Sequence, residues 1–177
     1  MKFGVRKMCT MAILAAISLV LIFLVHFPIF PAVPDLEYDP ADIPILIGGF
    51  VYGPIAGLII TIVASLIQAV TVSAKSGLVG FMMHVIATGT LVMVSSTYYK
   101  FHRNRRGALI GLVLGCLAMT LIMIPVNLFV TTRYWGVPLD VVLALLPTVI
   151  VPFNLIKSAA NSLVVFIIYK SLRTIIK

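Results

Sequence analysis

The run MCTMAILAAISLVLIFLVHF, residues 8–27, holds 20 residues without one Asp, Glu, Lys or Arg. At 1.5 Å per helical residue it is about 30 Å long, the thickness of a bilayer's hydrocarbon core. Lys2, Arg6 and Lys7 precede it, which resembles a secretory signal in outline. The run is too long for a signal h-region and has no small-residue cleavage site, so it reads as a permanent first span. The rest of the chain continues the pattern. Of 177 residues, 62% are hydrophobic and 10% charged, whereas a soluble domain carries charge on about a quarter of its residues. The fold class expected is an all-α integral membrane protein, with one domain over residues 1–177.

Further apolar segments follow. Pro28, Pro31 and Pro34 stop the first helix, and the loop from Pro28 to Ala41 carries Asp35, Glu37 and Asp39 but no cation. Residues 42–72 are too long for one span and are interrupted at Gly48-Gly49 and Gly53-Pro54. They read as a short, broken segment from Ile43 to Tyr52, then a span from Ile55 to Val72. Such breaks are tolerated only where protein or a water-filled cavity satisfies the backbone, and they often lie near a binding site. Spans four, five and six are expected from Leu78 to Tyr99, Gly107 to Thr131 and Thr148 to Leu172, with a longer connection over residues 132–146.

The charges orient these six transmembrane helices. Ten of the thirteen Lys/Arg fall at Lys2, Arg6 and Lys7, at Lys100, Arg103, Arg105 and Arg106, and at Lys170, Arg173 and Lys177. With N- and C-termini cytoplasmic, all three groups lie inside, as the positive-inside rule requires. Asp35, Glu37, Asp39, Asp42 and Asp140 then fall outside with Lys75 and Arg133. The net charge of +8 therefore meets anionic lipid in the bilayer rather than nucleic acid, for which the basic residues form no continuous face.

Lys157 remains, inside the sixth span. A cation there costs about 2.5–3.5 kcal/mol on insertion scales, so it faces a cavity or partner, or snorkels to the headgroups. Asn154 shares its helix face at a spacing of three, Ser158 and Asn161 extend the stripe, and Asn127 lies near the outer end of span five. Asn127, Asn154 and Lys157 together are read as ligand contacts. Ser158 and Asn161 are read as interhelical hydrogen-bond glue. His84 is read as a cavity-lining or structural histidine, since no membrane carboxylate stands at its depth in the sequence; a metal role lacks partners. Asp42 is expected either to cap the helix it begins or to lock the loop or meet a ligand. Ala12 and Ala16 form a small-xxx-small pair suited to close helix contact, within the chain or with another subunit. Cys9 and Cys116 have no ligand-like spacing.

No catalytic motif is present: no H-E-x-x-H, no G-x-S-x-G and no Walker A sequence. The chain is not expected to be an enzyme or to need a cofactor, and it cannot drive transport by its own ATP hydrolysis. No internal repeat is apparent, which argues against an inverted-repeat secondary transporter.

Four stretches carry a family resemblance: Ala12-x-x-x-Ala16, DIPILIGGFVYGP over 42–54, PVNLFVTT over 125–132 and PFNLIK over 152–157. With the proline-rich loop, they make the chain resemble the substrate-binding S components of energy-coupling-factor (ECF) vitamin transporters, most closely the riboflavin-specific type. The resemblance implies a six-helix fold and a vitamin pocket built from the first outer loop and spans four to six. It implies that Asn127, Asn154 and Lys157 contact the flavin, that Leu36 and Tyr38 belong to the covering loop, and that Leu78, Gly80, Met83 and His84 lie near the ring. Met82 and Phe129 would add apolar wall. It further implies that Ala12 and Ala16 face a transmembrane coupling subunit joined to two cytoplasmic ATPase subunits, in a prokaryotic cell membrane. Riboflavin suits such a pocket, since a planar ring wants apolar walls and a few placed polar groups. Lys157 could also meet the phosphate of flavin mononucleotide (FMN). The alternatives are an S component for another vitamin, a membrane enzyme acting on lipid, and a structural subunit without a ligand.

Overall fold

The computed structural model describes residues 4–31, 33, 36–74 and 76–176, with side chains described as far as residue 168. Lys2, Pro34, Asp35, Lys75 and Lys177, all used above, lie outside the described residues, as do the side chains of Lys170 and Arg173. The helices are α1 (Val5–Leu24), α2 (Asp42–Tyr52), α3 (Pro54–Val70), α4 (Gly77–Phe101), α5 (Arg105–Arg133), α6 (Leu139–Leu145) and α7 (Val151–Ile176). Among the described residues the only strands are two short ones, β1 (Phe27–Pro28) and β2 (Glu37–Tyr38), which pair antiparallel inside the loop after α1.

Four helical runs are long and apolar enough to cross a membrane: Val5–Leu24, Gly77–Phe101, Arg105–Arg133 and Leu139–Ile168. Two shorter apolar helices stand where the second and third spans were expected. One is α2, with 11 residues, and the other α3, with 17. At 1.5 Å per residue α2 is only about 16 Å long, so it stops well short of a hydrocarbon core's thickness. The connection expected over 132–146 is partly helical. The chain folds into α6, passes through a π-helical turn at Leu146–Ile150 and enters α7 without a break. Pro147 lies within this turn and Pro152 just after it; a proline supplies no N–H to the helical ladder, which favours a local change of pitch.

Helix ends follow local chemistry. Gly53 makes the turn between α2 and α3 at φ 93°, a conformation that costs a glycine little and any other residue more. Asn104 caps α5, its Oδ1 accepting the Gly107 N–H at 2.7 Å. Lys7 donates to the Tyr52 carbonyl oxygen at 3.2 Å, so the start of α1 and the end of α2 lie together. Arg6, Lys7, Lys100 and Arg103–Arg106 accordingly gather at one end of the bundle, and the 25–41 loop closes the other.

The core runs along the bundle through Ile45, Leu46, Ile60, Leu91, Val92, Leu112, Met119 and Val165. Many large apolar side chains point outward instead, including Val20, Phe23, Leu66, Val113, Leu121 and Leu163, as a bundle surrounded by lipid requires. Where α4 meets α5 the backbones nearly touch. A methyl at Gly111 would stand 2.8 Å from the Ser95 carbonyl oxygen, and one at Gly115 would stand 2.8 Å from that of Leu91. Backbone cannot swing away as a side chain can, so Gly115→Val forces the two helices apart. It should destabilise the protein by about 1–3 kcal/mol, seen as a lower Tm in detergent; an unchanged Tm would contradict this packing.

Candidate functional site

The loop between α1 and α2 is tied into the bundle by one polar cluster. Pairing of Phe27 with Tyr38 and of Pro28 with Glu37 sets the loop's register, and the Phe27 and Tyr38 rings lie 5.4 Å apart. This delivers Asp39 into the bundle. Its Oδ2 accepts from Lys157 Nζ at 2.7 Å, and both side chains are more than nine-tenths buried. Its Oδ1 accepts the Ala41 N–H at 3.1 Å. Burial alone would push the Asp39 carboxyl up; the Lys157 ammonium and these hydrogen bonds outweigh it and hold the pKa below the usual carboxylate value.

One turn beyond Lys157, Asn161 completes the anchor. Its Nδ2 donates to the Asp39 carbonyl oxygen and to Asp42 Oδ2, each at 3.0 Å, and its Oδ1 accepts from the Tyr38 hydroxyl at 3.0 Å. Burial and the nearby Asp39 carboxylate raise the Tyr38 phenol, so it remains a donor. Of the two roles expected of Asp42, the helix cap does not form, and the carboxylate instead joins the cluster that holds the loop. Its Oδ1 accepts from Thr88 of α4 at 2.7 Å, α2 has no side-chain cap, and the carboxylate clamps α4 and α7 instead. The interhelical glue expected of Asn161 is found, but it joins α7 to the loop.

Beneath the loop lies a cavity of about 400 Å³. Asn127 from α5 and Asn154 and Lys157 from α7 all line it, so the three expected contacts share one hollow. Each asparagine donates one N–H to its own helix, Asn127 to Met123 and Asn154 to Ile150, both at 2.8 Å. Among the described residues the two amide oxygens and remaining N–H groups are unspent, so each amide offers an acceptor and a donor side by side. Met83, Met119, Met123 and Phe153 supply apolar wall.

Leu36, Gly80, Met83 and His84 also line the cavity. Tyr38 does not; it works from behind, through Asn161. Leu78 is 73% exposed, and Met82 and Phe129 also turn outward, because the helix face toward the cavity in α4 is that of Gly80, Met83, His84 and Ala87. His84 does have carboxylates near its depth, contrary to the sequence reading: its Nε2 lies 3.5 Å from Thr88 Oγ1, which donates to Asp42, and its Nδ1 lies 2.7 Å from Ser65 Oγ. Ala12 and Ala16 are exposed on α1, away from its buried stripe of Met11, Ala15, Ser18 and Ile22.

Other lining residues were not anticipated. Ser65, Gln68 and Ala69 make α3 a wall, and Trp135 reaches the rim. Asp39 is the main omission. It is one of three acids in a loop that reads as solvated, and only the need of Lys157 for a counter-charge could have singled it out. A second hollow, about 390 Å³, opens at the basic end beside Tyr98, His102 and Arg105 and holds none of the expected residues.

Comparisons with known proteins bear on this site. A family model described as "ECF transporter, substrate-specific component" matches residues 6–169. "Riboflavin transporter RibU" of Staphylococcus aureus is 28% identical over 97% of this chain and 93% of its own length. "Riboflavin transporter FmnP" of Bacillus subtilis is 29% identical over 96% and 93%. A solved structure, described as that of "the S component of a bacterial ECF transporter", superposes with a TM-score of 0.83 at 30% identity, covering 97% of this chain and 98% of its own. The named relatives are transporters, not enzymes.

Removing one member of a buried ion pair strands the other charge, at a cost of about 3–5 kcal/mol. Asp39→Ala and Lys157→Met should each lower thermal stability by that order, while the double substitution costs clearly less than their sum; additive losses would deny the pair. Because the folded Asp39 pKa is depressed, its contribution is fully present above the unfolded value of about 3.9 and fades as pH falls through the folded value. The stability gap between wild type and Asp39→Asn should therefore stay flat from about pH 8 to about pH 5. A gap that closes as pH falls within that range would mean that Asp39 is not the ionised partner.

Proposed function

The chain belongs to the substrate-specific components of ECF transporters, and on that premise we propose that it binds riboflavin from outside the cell for uptake. The observation that carries the reading is the convergence of Asn127, Asn154 and Lys157 on one apolar-walled cavity of about 400 Å³, in a chain whose relatives are named riboflavin transporters. Amides that present an acceptor and a donor together match the imide edge of a flavin ring, and Met83, Met119 and Phe153 suit its faces.

The proposed topology has six membrane segments with both termini in the cytoplasm of a prokaryotic cell and the whole chain forming one binding domain. The gathering of Arg6, Lys7, Lys100 and Arg103–Arg106 at one end supports that orientation, which places the 25–41 loop and the cavity mouth outside. Lacking a Walker A sequence, the chain would depend on a transmembrane coupling subunit and two cytoplasmic ATPase subunits for energy. The exposed Ala12 and Ala16 offer α1 a smooth face for that docking. A different vitamin in the same cavity is the alternative.

Titration with riboflavin in detergent tests the assignment. Wild type should quench the vitamin's fluorescence saturably. Asn127→Ala and Lys157→Ala should each lose at least about 1.5 kcal/mol, or about tenfold in Kd, as expected for a hydrogen bond to a buried or charged partner. Undiminished riboflavin binding by both variants would refute the site.

A further inference from the structure

The wall that α3 adds to the cavity carries an unpaired amide. Gln68 stands in the last turn of α3 and lines the cavity. Its Nε2 donates to Ser73 Oγ at 3.2 Å. Its Oε1 is buried and, among the described residues, accepts no hydrogen bond. Turning the amide over would pair the oxygen with Ser73 and leave the nitrogen unpaired in its place. A buried polar group without a partner is costly and calls for an explanation. The other buried side-chain atoms in this state are the Ser95 and Ser96 hydroxyls, which pack against Gly115 and Gly49 inside the bundle, away from this lining. Gln68 is therefore the one that a ligand could satisfy. The terminal torsion of a glutamine is soft, so a small turn presents either end of the amide to the cavity.

Its position relative to the asparagines decides which part of a ligand it meets. Asn127 and Asn154 stand on α5 and α7, which pack against each other, whereas α3 packs against α1, α2 and α4. Helix α4 packs against both α3 and α5 and so lies between the two polar walls. We propose that Gln68 binds a hydroxyl of the ligand's polyol tail, so that the ligand lies across the hollow with its ring edge on the asparagines and its tail toward α3. The inference rests on the flavin reading. There the asparagines take the imide edge of the ring, and the far edge of a flavin carries only methyl groups. The tail is the polar part that remains. Each of its hydroxyls both donates and accepts, so it matches whichever end of the Gln68 amide is presented. Ser73 and Ser76 line the same side, and α3 itself contributes no charged side chain.

Riboflavin and lumiflavin share the ring, and lumiflavin has a methyl group in place of the polyol. Both are titrated into the full chain in detergent, and the ratio of the two Kd values is read for wild type and for Gln68→Met, which keeps the side chain's length and removes its amide. Wild type should bind riboflavin about tenfold or more tightly than lumiflavin. Gln68→Met should shrink that ratio about fivefold, the worth of one neutral hydrogen bond, by weakening riboflavin and leaving lumiflavin where it was. Asn127→Ala should weaken both flavins and keep the ratio, since it acts on the shared ring. Lumiflavin binding reports that a variant is folded; where Gln68→Met folds poorly, Gln68→Leu takes its place. A role for Gln68 in merely holding the end of α3 would weaken both flavins alike. That result, or equal affinities for the two flavins in wild type, would overturn the proposal and leave the flavin reading intact. Failure of both flavins to bind wild type would remove the flavin reading and this inference with it.

Discussion

Two opposite charges, Lys157 on α7 and Asp39 on the loop after α1, meet inside an apolar bundle at 2.7 Å. Neither can stay there alone. An ionised group without a partner in such surroundings costs several kcal/mol, and the mutual attraction offsets that only with good geometry and further hydrogen bonds. The loop supplies those conditions. The Ala41 N–H takes the second carboxylate oxygen, and Asn161 takes the Asp39 carbonyl. A segment that would otherwise be solvated is thereby bound to the bundle 118 residues further along the chain. The cavity exists beneath it because the loop is held across the helix ends.

Much of this was legible before any coordinates. Long apolar runs bounded by Lys and Arg, the break at Gly53-Pro54 and the polar stripe of α7 located the helices and several residues around the hollow. What the sequence left open depends on which way a helix is turned. Leu78 and Gly80 are two residues apart, yet Gly80 faces the cavity and Leu78 the surroundings. In a helix hydrophobic on nearly every side, periodicity carries little information about facing. The role of Asp42 stayed open for a related reason: a local cap is visible in sequence, whereas its actual partners, Thr88 and Asn161, are 46 and 119 residues away.

The family likeness and the physical reading are independent supports. Matching residues 6–169 to a transporter component says what kind of molecule this is. The arrangement of side chains says why such a molecule holds a small polar-edged ligand. In the proposed reading the apolar walls would favour a flat ring, and the asparagines would give it direction. The anchored loop keeps bulk water from competing for the same donors and acceptors.

The two asparagine amides are tethered to carbonyls one turn back in their own helices, Asn127 to Met123 and Asn154 to Ile150. That bond limits the rotation of each amide. Side chains that must be immobilised on binding each cost about 0.5–1.5 kcal/mol of affinity, and here that ordering is complete when the protein folds. Association at these two positions, as proposed, would carry little loss of torsional freedom in the protein, a property suited to capturing a scarce molecule from dilute surroundings.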